Sequence, residues 1–137
     1  GTVSAMRWVA DDRITALGIW ASYPPDTTDI ESMEGWPSLL LTGSEDRIST
    51  QTFIDRWERF PEPTFKGVVD GMNHYDWTDD ASATDLAKDG VSLRPLEESR
   101  PDAWRVIDSW LDAVLLDDDG AQARLDEGGF PGIEEVD

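Results

Sequence analysis

Two short segments hold the residues of this chain best suited to acid–base chemistry. They are Leu39-Leu40-Leu41-Thr42-Gly43-Ser44-Glu45-Asp46 and Val68-Val69-Asp70-Gly71-Met72-Asn73-His74. Each is an apolar run that breaks at a glycine and delivers a polar side chain three residues later: Asp46 after Gly43, and His74, the only histidine, after Gly71. A carboxylate that orients an imidazole, and an imidazole that moves protons, are two members of a nucleophilic triad. In that chemistry Asp46 accepts the Nδ1 proton of His74. Nε2 of His74 takes a proton from the nucleophile and later returns it to the leaving group.

For the pair to meet, both segments must end strands of one sheet. Ile14 to Ala21 is short, nearly all apolar and bounded by polar residues, as expected of a strand buried on both faces. Tyr23-Pro24-Pro25 stops it, and the acidic stretch from Asp26 to Pro37 reads as a loop. Leu39 to Thr42 is the next predicted strand. Ser49 then caps a helix with Phe53, Ile54, Trp57 and Phe60 on one face, ended by Pro61 and Pro63. Phe65 to Val69 is the third strand. Strands alternating with helices predict a parallel sheet, and a right-handed crossover brings consecutive strand ends to one rim.

The flanks are also patterned. Val3, Met6, Val9 and Ala10 fall at helical spacing at the start. Asp76 to Glu97 is polar and irregular. Ser99 with Asp102 reads as a helix cap, followed by Trp104, Ile107, Trp110, Leu111, Val114 and Leu115 on one broad face. Asp117-Asp118-Asp119-Gly120 ends that helix, and residues 117–137 read as an acidic, flexible tail.

Composition narrows the class. The 137 residues, with seven tryptophans and four phenylalanines, suffice for one domain with a core. No apolar run reaches the roughly 18 residues of a membrane span. Without cysteine, disulfides, thiol catalysis and cysteine-ligated zinc are excluded. A net charge of −19 argues against nucleic-acid partners, which require a basic surface. Lys66 and Lys88 are the only lysines among 11 basic residues, a balance that fits equally a salty habitat where counterions screen self-repulsion or simply an acidic soluble protein. Asp117, Asp119, Gly120 and Asp126 imitate part of a calcium loop. Leu115 would have to open that loop and no glutamate closes it, so no metal or other cofactor is expected.

The order of elements, from the glycine turn at Gly1 and its helix through the strands ending at Asp46 and His74 to the long final helix, resembles the C-terminal half of an α/β-hydrolase. The likeness covers residues 1–116 and is strongest to the esterase branch of dienelactone hydrolases and chlorophyllase-like proteins. It implies an α/β fold with three parallel strands, the family's strands six to eight, and flanking helices. It also implies that Asp46 and His74 are catalytic. Glu45 ranks second as the acid, sitting one position early for the family pattern. Tyr23, Tyr75 and Trp77 are implied to line the substrate site, whereas Trp20 is expected to serve packing. The short loop from Tyr23 to Pro37 leaves no room for a large helical lid.

The nucleophile is not assigned within the chain. Ser4, Ser22 and Ser44 lack the flanking glycines of a G-x-S-x-G elbow, which the resemblance sets just before Gly1. The oxyanion donors are likewise implied to lie in the missing N-terminal half of the same domain, the expected partner of this segment, without which it should aggregate. The expected activity is hydrolysis of a small-molecule carboxylic ester through a serine acyl-enzyme. Amide hydrolysis and an aspartate nucleophile stay open. The alternative is a non-catalytic hydrolase-like module that binds a ligand or partner.

Overall fold

The structure is a computed structural model that describes residues 13–22, 30–47, 50–79 and 81–136. It is a mixed α/β arrangement of one four-stranded sheet with helices on both faces. Strands β1 (Leu17–Trp20), β2 (Ser38–Gly43) and β3 (Thr64–Val69) run parallel in that order. A fourth strand, β4 (Ile133–Glu135), pairs antiparallel with β3. The helix predicted near residues 2–10, the Ser49 cap and Tyr23 lie outside the described residues.

The central strand β2 is buried along its whole length. Its side chains alternate: Leu40 faces one core with Ile19, Phe53, Trp57, Phe60 and Val68, while Leu39 and Leu41 face another with Val106, Ile107 and Trp110. Each fully buried leucine contributes roughly 1.5–3 kcal/mol, so this strand anchors the domain. Helix α1 (Thr50–Trp57) covers the first face through Phe53 and Trp57. It stops at Trp57 rather than running to Phe60, whose N–H bonds the Trp57 carbonyl in a closing turn. Ile30 and Met33, in the segment read as a solvated loop, are buried in the same cluster.

After the short helix α2 (Ala83–Leu86), the long helix α3 (Leu96–Leu116) covers the second face. It begins a turn before the predicted Ser99 cap. Pro95 holds the cap position, and the Ser99 hydroxyl turns back to the Pro95 carbonyl. Pro101, the sixth residue of the helix, has no N–H to donate to the Glu97 carbonyl, so one helical bond is missing there. The buried face matches the predicted one at Ile107 and Trp110, with Val114 partly buried, and departs from it elsewhere. Ser99, Ala103, Val106, Ile107 and Trp110 are buried, while Trp104, Leu111 and Leu115 are exposed. Small side chains let the helix press against the sheet, and a pattern counted from large apolar residues misses that stripe.

The segment 117–137 is not the flexible tail expected from its acidity. Asp117 ends α3 in the left-handed conformation, and the Asp118 carboxylate caps helix α4 (Asp119–Glu127) by accepting the Ala121 N–H at 2.9 Å. Phe130 then packs edge-on against Phe65, and β4 completes the sheet. The aspartates serve as helix punctuation here.

Candidate active site

The tips of β2 and β3 are clamped to each other by backbone bonds. Ser44 N–H donates to the Val69 carbonyl at 3.0 Å, Glu45 N–H to the Met72 carbonyl at 2.8 Å, and Gly71 N–H to Ser44 Oγ at 2.9 Å. Glycine is required at both breaks. A Cβ at Gly43 would lie 2.2 Å from the Met72 carbonyl oxygen, and Gly71 has a φ of +74° with Arg94 against it.

This clamp brings Asp46 and His74 together: Nδ1 of His74 lies 3.0 Å from Oδ2 of Asp46. The Asp46 side chain is fully buried, and the imidazole retains 27% of its side-chain surface. Thr42 Oγ1 stands 3.5 Å from the same carboxylate oxygen. The pKa of His74 is raised above 6.5, chiefly by its hydrogen bond to Asp46. The charges of Asp46 and Asp89 add to that rise, and partial burial opposes it.

A capping box fixes the turn that carries His74. In the 3-10 turn His74–Trp77, Asn73 Oδ1 accepts the N–H groups of Tyr75 and Asp76, and Asp76 accepts the Asn73 N–H at 2.8 Å. From α3, Arg100 donates to the carbonyls of Asp76 and Thr78. Tyr75 lies edge-on to the imidazole, with ring centroids 5.1 Å apart. Trp77 points elsewhere, packing into the core against α3, where its buried indole N–H meets no acceptor among the described residues.

Trp20, expected to be packed, is 41% exposed, and with Trp77 and Trp104 it lines a cleft of about 90 Å³ beside Arg100. Glu45 makes its side-chain contact with the Ser44 hydroxyl and not with His74. Among the described residues no group of three His, Asp or Glu side chains could hold a metal ion, and no helix is long and apolar enough to cross a membrane.

One residue was missed by sequence reasoning. Asp89, from the irregular stretch after α2, accepts the Arg47 N–H at 2.7 Å and the His74 N–H at 2.5 Å. Only the hinge-like Asp-Gly pair at 89–90 hinted at a tight approach there.

A scan of protein-family models finds no match to this chain, and no curated protein matches it.

Proposed function

We propose that this chain supplies the acid and base of a serine hydrolase of the α/β-hydrolase type, with carboxylic esters as its substrates. The observation that carries the reading is the 3.0 Å contact between His74 Nδ1 and the buried Asp46 carboxylate, at the carboxyl ends of two adjacent parallel strands. Asp46 holds the Nδ1–H tautomer and stabilises the imidazolium that forms during turnover. Nε2 is thereby left to deprotonate a serine hydroxyl and then to protonate the departing alcohol. The parallel order β1-β2-β3 is consistent with three successive strands of that fold. Tyr75, against the imidazole, is the residue best sited to meet substrate; Trp77 acts from behind, supporting the turn.

The test is labelling of the full-length protein by a fluorophosphonate, which traps an activated serine. We expect labelling that disappears in His74→Ala. Absence of labelling in the unaltered protein, or equal labelling of both, would replace this reading with that of a non-catalytic binding module.

A further inference from the structure

We infer that Asp89 is a positioning residue for the acid–base pair: its single carboxylate ties the loop that carries Asp46 to the turn that carries His74. The inference deepens the hydrolase reading and rests on Asp46 and His74 being its acid and base. One oxygen of Asp89 receives the N–H of Arg47, the residue directly after Asp46, and the other receives the N–H of His74 itself.

Asp89 is itself held from several directions. Gly90 sits so close to the first loop that a Cβ would lie 2.2 Å from the Glu45 carbonyl oxygen. From the second loop, Asn73 Nδ2 donates to the Gly90 carbonyl and to Ser92 Oγ, both at 3.0 Å. Ser92 Oγ donates to Asp76 at 2.7 Å, and Leu93 N–H bonds the Gly71 carbonyl at 2.9 Å. Residues 89–93 therefore form a strap across both strand tips, with Asp89 at its start. Two carboxyl-to-amide bonds restrict the relative motion of the loops, which a 3.0 Å side-chain contact between them requires.

Asp46 from the β2 tip and Asp89 from the strap both favour the His74 imidazolium, and the Tyr75 ring of its own turn lies edge-on to it. Asp89 thus acts through position and through charge, and substitution separates the two.

The experiment is NMR of the 15N-labelled full-length protein, with His74 assigned by comparison with His74→Gln. Asp89→Ala should weaken or abolish the downfield Nδ1–H resonance and move the His74 titration midpoint down toward 6.5. Asp89→Asn keeps an acceptor for one of the two N–H groups but no charge. It should recover part of the Nδ1–H signal while the midpoint stays low. An unchanged resonance and midpoint in Asp89→Ala would overturn the proposal.

The unaltered protein gives a measurement that needs no variant. Hydrogen exchange at the Arg47 and His74 amides should be slow, because both are bonded to the one Asp89 carboxylate; fast exchange at both would overturn the inference. Slow exchange without fluorophosphonate labelling would remove the hydrolase reading alone and leave the positioning role standing.

Discussion

Asp46 and His74 leave neighbouring strands by the same glycine-to-third-residue step, yet their surroundings differ. The Asp46 side chain is withdrawn from water, while His74 keeps 27% of its side chain exposed. The difference arises in the residues just beyond each tip. Directly after Asp46, the Arg47 N–H is bound by Asp89; after His74 the chain continues in a capped 3-10 turn. A buried carboxylate orients strongly because no water competes for it, and an exposed imidazole can reach a substrate. Two strand ends on one plan therefore support opposite roles.

This contrast fails most plainly if the roles are interchangeable. His74→Ala should lower kcat of the full-length protein by roughly 10⁶-fold, whereas Asp46→Asn should cost about 10⁴-fold. Steady-state ester hydrolysis checks the order; equal effects would mean that Asp46 does more than orient.

Next in size is Gly43→Ala. Its Cβ would meet the Met72 carbonyl and push the two tips apart, destabilising by about 1–3 kcal/mol. Urea unfolding should show a lower midpoint together with loss of the His74 Nδ1–H resonance. Retention of that resonance would show that the tips tolerate separation.

The smallest expected effects concern pH. Because His74 has a raised pKa when folded, its contribution to stability is complete below the unfolded value of 6.5. That contribution declines as pH rises through the folded value. A pH series of melting temperatures should show this decline in the unaltered protein and its absence in His74→Gln. Activity should change in the opposite direction, since only the neutral imidazole accepts the proton of the nucleophile. The lower inflection of kcat/KM should therefore fall above 6.5, and Asp89→Asn should move it down.

The strand tips were legible because their signals are local. A short apolar run broken by a glycine marks a strand end wherever it occurs. Phe53 and Trp57 were placed correctly on the inner face of α1 by helical spacing, an equally local signal. The face of α3 was legible only in part. Ile107 and Trp110 are buried as helical spacing predicts, but Trp104, Leu111 and Leu115 are exposed, and Ser99, Ala103 and Val106 are buried in their place. Acidity likewise misled at 117–137, since Asp118 is a cap and Ile133 a sheet residue. Asp89 was invisible because its partners lie 15 and 42 residues away and are backbone groups, which leave no trace in side-chain patterning.

Residue order alone dictates which segments become strands, where glycine allows them to turn, and which two residues stand at adjacent tips. Those outcomes rest on periodicity and backbone sterics within a few residues. Only the folded chain settles that the carboxylate is buried and the imidazole exposed, that a distant aspartate joins their loops, and which stripe of α3 meets the sheet. Each of these depends on close packing and on pairing buried polar groups between segments far apart in the chain.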